Sequence, residues 1–306
     1  MLNLKRYTKE VLNRLPYIKG LYKESQNFKK HSCYRPGHYY SPIVSIEEIK
    51  KRENEIWNCE RIDSIDGINL RTKEQIKLIS HFNKFYSDIP FKKTRNKETR
   101  YFFENGLYSY TDGIILYSMI RYIKPKQIIE VGSGFSSSVM LDTNQFFFDN
   151  QIKLTFIEPY PERIYSLLKE DDKDSSNIIV DFVQNIDIEV FKQLDKGDIL
   201  FIDSSHVVKT GSDVHFILFE ILPKLKEGVY IHFHDIFYPF EYPKEWVYKG
   251  RNWNENYFLK AFLMYNNDFQ IEIFSNYLHT NYEEAFKNMP LCYNNRGGNL
   301  WLKKII

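Results

Sequence analysis

Gln127-Ile-Ile-Glu130-Val-Gly132-Ser-Gly134-Phe-Ser136-Ser-Ser-Val-Met-Leu141 decides how this chain is read. A β-branched run stops at two glycines, and an apolar pattern of helical spacing follows. That order predicts a buried parallel strand turning sharply into a helix. Glycine at the bend lets backbone N–H groups approach a ligand closely, and the helix N-terminus adds partial positive charge. The stretch is a candidate nucleotide cradle; its bland alternative is a structural turn in any α/β protein.

Downstream, apolar runs and helical segments alternate. Strands are predicted at 127–132, 153–158, 177–183, 198–203, 228–234, 269–276 and 299–305. Helices are predicted at 136–149, 161–170, 187–194, 212–225 and 254–266. This alternation predicts an α/β fold with a doubly wound seven-stranded sheet, mostly parallel. The last two strands follow one another with no helix assigned between them, which predicts an antiparallel final strand. In such sheets ligands sit beyond the carboxyl ends of the strands, so chemistry is sought there.

Upstream, residues 1–100 read as a mainly helical extension, and 101–306 as the sheet domain. Residues 1–30 hold eight Lys or Arg against two Glu, with Leu and Ile at roughly helical spacing. They suit either a basic amphipathic helix at an anionic surface or partner, or a helix packed on its own domain. Pro16 interrupts the pattern on this reading. Ser45-Ile-Glu-Glu is a helix-capping start, and Lys92–Arg100 reads as a basic loop.

The formal charge of +2 over 306 residues gives no case for a nucleic-acid partner. Cys33, Cys59 and Cys292 are scattered and odd in number, so neither a disulfide framework nor a zinc knuckle is expected. No run approaches about 18 apolar residues, and no signal-like apolar core opens the chain, so a cytoplasmic protein without a membrane span is expected. An oligomer is compatible with all of this.

The ligand at the turn follows from charge. A dinucleotide fingerprint reads Gly-x-Gly-x-x-Gly, whereas here Ser137 holds the third position. Glu130, two residues before the first glycine, would repel a pyrophosphate and suit a cationic group. S-adenosylmethionine carries such a group. Glu130-Val-Gly-Ser-Gly resembles the first motif of the class I S-adenosylmethionine-dependent methyltransferases, in the branch acting on small molecules and saccharides. The resemblance covers roughly 101–306. It implies cofactor contacts from Glu130, Gly132, Gly134 and Ser136, ribose contact by Glu158, and adenine contact near Asp181 and Gln184.

The fourth and fifth strands end in Asp203-Ser-Ser-His206 and His232-Phe-His234-Asp235. If these strands are neighbours, Asp203 and Asp235 face one crevice, with His206 and His234 beside it. Methyl transfer to a hydroxyl needs a proton removed, either by a His or Asp base or by a Mg²⁺-like ion. The catechol-type O-methyltransferases that this resembles place metal ligands at Asp203 and Asp235, but follow the second with Asn, where this chain has Ile236. His234 would have to replace the missing ligand. His232 is expected to be a packed, hydrogen-bonded core histidine, and His206 has a turn-capping alternative. The aromatic stretch 237–253 reads as a lid or acceptor wall, or as plain cover for the sheet edge. Tyr110, Thr111 and Asp112 are a weaker candidate for covering the cofactor.

The function expected is O-methylation of a small-molecule or saccharide hydroxyl, as natural-product or glycan modification. Its alternatives are an NAD(P)-dependent sugar-modifying oxidoreductase and a non-catalytic interaction protein.

Overall fold

The computed structural model describes residues 15–57, 64–170, 172 and 176–306. The chain forms two compact units, 1–59 with 247–252, and 60–246 with 253–306. In the first, α1 (Pro16–His31) starts at Pro16 itself. The Pro16 ring pre-sets φ for a first helical turn, where its missing N–H is no loss. Pro16 therefore begins the helix instead of interrupting it. Residues 1–14 of the expected basic helix lie outside the described residues. No residue of α1 is buried, and Lys29, Lys30 and His31 fill its last turn. Ser45 caps the short helix Ile46–Lys51, accepting the Glu48 N–H at 3.3 Å. Tyr248 donates to Glu53 at 2.6 Å and ties the returning segment into this unit.

The larger unit is a sheet with flanking helices. Its strands are β1 (Gln127–Val131), β2 (Lys153–Ile157), β3 (Ser176–Ile179), β4 (Ile199–Ile202), β5 (Tyr230–Phe233), β6 (Phe269–Phe274) and β7 (Leu300–Lys304). Their order is β3-β2-β1-β4-β5-β7-β6. β1 to β5 are parallel, and β7 runs antiparallel to both neighbours. The seven-stranded expectation and the antiparallel last strand both hold. β4 is buried at every position, the pattern of a strand covered on both faces.

Among the helices, α2 (Thr72–Tyr86), α3 (Tyr110–Ile123) and α4 (Phe135–Phe148) are the long ones of this unit; α3 packs against both α2 and α4, and α2 also against β6. The helix expected at 212–225 starts as Asp213–Phe216, then widens into a π turn and tightens into a 3₁₀ turn ending at Lys224. Pro223, which has no N–H to donate to residue 219, lies in that last turn. The helix expected at 161–170 is a single turn, Glu162–Tyr165, because Asp172 accepts the Lys169 N–H at 2.6 Å and folds the chain back. α5 (Glu255–Leu263) follows β5.

One expectation fails. Between β6 and β7 lie α6 (Ser275–Asn281) and helical turns at Glu283–Phe286 and Pro290–Tyr293. These are short, Asn- and Tyr-rich segments without a sustained apolar period. They are held by tertiary contacts such as His279, whose ring nitrogens meet the carbonyls of Ser275 and Cys292 at 2.9 Å. Among the described residues no helix is long and apolar enough to cross a membrane.

Arg100, read as part of a basic loop, is buried. Its guanidinium donates to Asp142 and Gln145 at 2.8 Å and forks onto Asp172 at 2.5 and 2.6 Å, pinning the segment before α3 to α4. Gly132, just past β1, has φ +82°, and a Cβ there would lie 1.8 Å from the Asp203 carbonyl oxygen. Gly134 is extended, and a Cβ would meet only the flexible end of Arg163 at 3.0 Å.

Two stability outcomes follow from these contacts. Arg100→Leu strands two buried carboxylates and is expected to cost about 3–5 kcal/mol in urea unfolding; a cost below about 1 kcal/mol would refute the ion-pair account. Gly132→Ala is expected to lose at least about 1–3 kcal/mol, with Gly134→Ala close to the parent. Equal losses at the two glycines would contradict the contact with Asp203.

Candidate active site

Chain order reverses between β1 and β4, and the crevice at their carboxyl ends is where the cradle forms. Glu130 is fully buried. It accepts Ser136 Oγ–H at 2.5 Å and a second short hydrogen bond from Ser137 Oγ, which in turn accepts the Gly134 N–H at 2.9 Å. Burial pushes the Glu130 carboxyl up to about 8, against the pull of the two serines. Its oxygens are thus engaged within the turn, so it shapes the cradle and does not face a ligand with an open charge.

Glu158, one residue past β2, joins the same turn. One of its oxygens accepts the Ser133 N–H at 2.9 Å and the other accepts the Tyr160 N–H at 2.8 Å. Asp181 lies two residues beyond β3 and accepts from the Phe182 N–H and the Asn185 amide at 2.7 Å. Beside it, Gln184 Oε1 is buried without a partner among the described residues, as are the hydroxyls of Ser138 and Ser204 around the turn. A cradle that no Cβ can enter at Gly132, ringed by unsatisfied buried polar atoms, fits a nucleoside-bearing cofactor.

The second half of the site abuts the first through Asp203, whose N–H donates to the Val131 carbonyl at 2.9 Å. Its Oδ1 lies 3.2 Å from His234 Nδ1 and 3.4 Å from His206 Nε2. Asp235 touches the same pair more loosely, 3.9 Å from His206 Nε2 and 3.8 Å from His234 Nε2. His206 and Asp235 both hold left-handed backbone, φ +60° and +56°. Such non-glycine conformations cost energy and collect at functional sites.

Two carboxylates not assigned to this cluster from the sequence complete it. Asp112, in the first turn of α3, accepts from Gly298 N–H at 2.9 Å and Asn299 Nδ2 at 2.7 Å, and sets its other oxygen 3.8 Å from His234 Nε2. Glu255, the first residue of α5, lies 2.8 Å from His206 Nδ1. An acidic residue in a first helical turn is ordinary, so no sequence signal separates buried Glu255 from a solvated dipole partner.

Charge is largely compensated inside the cluster. Burial alone would raise Asp203, but His234 and His206 hold it well below the usual carboxylate range. Burial opposes charge on His206, yet Asp203 and Glu255 push it up to about 10. His234 is likewise held well above its ordinary value, against burial, by Asp235 and Asp203. Burial raises Asp235 and Glu255, partly offset by the histidines.

His232 differs sharply. Its ring stacks on Phe201 at 3.8 Å and meets Trp301 edge-on at 4.9 Å. Burial holds it well below the usual imidazole value. It is packed as expected, but among the described residues neither ring nitrogen has a hydrogen-bond partner, because its neighbours are aromatic faces.

For a metal, the fit fails. Asp203, Asp235 and His234 are brought together, but no group of three His, Cys, Asp or Glu among the described residues is disposed to hold an ion. The carboxylates turn to the imidazoles instead. A groove of about 560 Å³ among Gly67, Asn69, Arg71, Tyr265 and Gln270 opens near the amino end of β6, away from these strand ends. Of the aromatic stretch 237–253, residues 237–246 and 253 belong to this unit. There Trp246 packs on Phe237 at 5.1 Å and on Trp253 at 5.4 Å.

A family profile described as "Methyltransferase domain" matches residues 129–236, from β1 past the end of β5. An uncharacterized protein of Archaeoglobus fulgidus is 30% identical over 179 residues, which is 57% of this chain and 79% of the relative. Among solved structures, the chain is similar to a Podospora anserina methyltransferase, PaMTH1, bound to S-adenosylhomocysteine. That match has a TM-score of 0.44 and 15% identity, covering 80% of this chain and 100% of that one. It is also similar to the Streptomyces achromogenes O-methyltransferase TomG in complex with S-adenosylmethionine, with a TM-score of 0.40 and 12% identity, covering 76% and 90%. The NAD(P)-dependent alternative gives way to the family match: the chain carries a methyltransferase domain over residues 129–236 and is a methyltransferase.

Proposed function

We propose that this enzyme methylates a hydroxyl oxygen of a small molecule or saccharide, with a histidine of the strand-end cluster taking the proton. The observation that carries the reading is Asp203. Its main chain packs on the glycine turn, while its carboxylate lies between two imidazoles. A cofactor in the cradle and a proton acceptor are then adjacent by construction. A neutral amine nitrogen already has the lone pair that attacks a methyl group, whereas a hydroxyl gains most from a base that takes its proton.

S-adenosylmethionine supplies a methyl carbon activated by its sulfonium. Gly132, Gly134, Ser136 and Glu158 would hold it at the turn, Glu130 would brace that turn, and Asp181 and Gln184 would meet the adenine end. Asp112, Asp203, Asp235 and Glu255 outnumber His206 and His234, and this surplus of carboxyl groups suits a cationic donor. The acceptor oxygen bonds to the methyl carbon as the carbon–sulfur bond breaks, and the hydroxyl proton passes to an imidazole nitrogen. Asp203 is too acidic to take that proton and serves to hold the two rings. Phe237, Trp246 and Trp253 offer aromatic faces for an acceptor wall.

The test uses methyl-labelled S-adenosylmethionine with panels of hydroxylated small molecules and saccharides. The expected product is a base-stable methyl ether; label confined to amines or to base-labile esters would overturn the assignment. With an acceptor identified, His206→Gln and His234→Gln are expected to lower kcat by about 10²–10⁴-fold, with S-adenosylhomocysteine affinity within a few-fold of the parent. The base must be neutral to act, and its resting pKa is raised. kcat/KM should therefore climb with pH through and beyond the ordinary imidazole value of about 6.5, toward about 10. A plateau already reached at pH 7 would exclude His206 as the base.

A further inference from the structure

Resting on that reading of the site, the geometry assigns Glu255 as the positioning residue for His206, fixing Nδ1 as its permanent donor nitrogen and Nε2 as the nitrogen that receives the acceptor's proton. The two histidines of the cluster are not equivalent. His206 is gripped from several sides. Its carbonyl accepts the N–H groups of Asn254 at 3.1 Å and Glu255 at 3.2 Å. Its ring lies 4.3 Å from the Trp253 ring. The Asn254 side chain braces the loop after it, accepting the Val208 N–H at 2.6 Å. The Glu255 carboxyl, only 1% exposed, meets Nδ1 at 2.8 Å.

A carboxyl this deeply buried is costly unless a donor compensates it. The other oxygen of Glu255 has no partner among the described residues, so the Nδ1–H of His206 is the hydrogen bond that holds the group. With Nδ1 committed, only Nε2 remains for the crevice. Its own neighbours, Asp203 Oδ1 at 3.4 Å and Asp235 Oδ2 at 3.9 Å, are beyond good hydrogen-bond length. In the neutral ring Nε2 is the proton-free nitrogen, oriented yet only loosely engaged, as a proton acceptor must be before its substrate arrives. His234 has a looser version of the same arrangement, with no contact as short as the 2.8 Å between His206 and Glu255. Its Nδ1 is nearest Asp203, and its Nε2 lies 3.8 Å from both Asp112 and Asp235. In the transfer step the acceptor O–H bond breaks and an Nε2–H bond forms. The Nδ1 proton stays on Nδ1, and Glu255 stabilises the resulting imidazolium.

The experiment is proton NMR of the full chain labelled with ¹⁵N-histidine, with His206→Asn used to assign the ring. The expected signal is a low-field, ¹⁵N-coupled proton from His206 Nδ1. It should shift upfield in Glu255→Gln, whose neutral amide is a weaker acceptor, and vanish in Glu255→Leu. If the leucine variant does not fold, the upfield shift in Glu255→Gln carries the test alone. A parent without the signal, or a signal unmoved by Glu255→Gln, overturns the proposal. Calorimetry with S-adenosylhomocysteine on the same samples and an acceptor screen report on the methyl-transfer reading independently. Absence of hydroxyl methylation would sink that reading while leaving the Nδ1 signal intact.

Discussion

The carbonyl oxygen of Asp203 occupies the space a β-carbon on residue 132 would need, and this single approach joins the two halves of the site. β1 and β4 are paired along their length, so a residue just past each strand meets the other at the switch point of the sheet. Only glycine permits that approach at φ +82°. The consequence is chemical as well as steric. The turn that cradles a cofactor and the carboxylate that organises two imidazoles share one backbone contact, with no mobile side chain between them.

Holding four carboxyls and two imidazoles in a buried crevice violates the ordinary rule that charges stay in water. The cluster tolerates this because each charge faces an opposite one. Asp203 lies between His206 and His234, Asp235 touches both, and Glu255 and Asp112 close the two ends. The compensation is local and incomplete, with strained backbone at His206 and Asp235. Local rules broken together at one place mark a functional site. The failed metal fit is a matter of geometry: the carboxylates turn to the imidazoles and, among the described residues, no three groups converge on one point.

Much of this was legible in the residues. The seven strands, the antiparallel partner and the strand-end positions of Glu158, Asp203, His206 and His234 follow from period and punctuation, which are local properties. What was not legible depends on contacts distant in sequence. Pro16 reads as a breaker in a continuous pattern and as an initiator once the helix is known to begin there. The helical turns between β6 and β7 have no period to announce them. Glu255 lies 49 residues from His206, and nothing about a Glu after Trp253-Asn254 distinguishes it from a solvated helix cap. Arg100 looks like surface charge until Asp142 and Asp172 are seen around it.

His232 and His234 make the general point most directly. They are two residues apart on one strand and on the same face, with ring centroids 6.3 Å apart. Alternation treats them alike. Register separates them: His232 is paired with Phe201 on one side and Trp301 on the other, so its ring sits between aromatic groups and stays neutral. Two positions on, the strand has ended, and the neighbours are the carboxylates of Asp203, Asp235 and Asp112. One imidazole is packing and the other is a charged group in a crevice. The difference lies in where the sheet stops, because beyond that edge the backbone no longer supplies apolar neighbours, and side chains from other strand ends take their place.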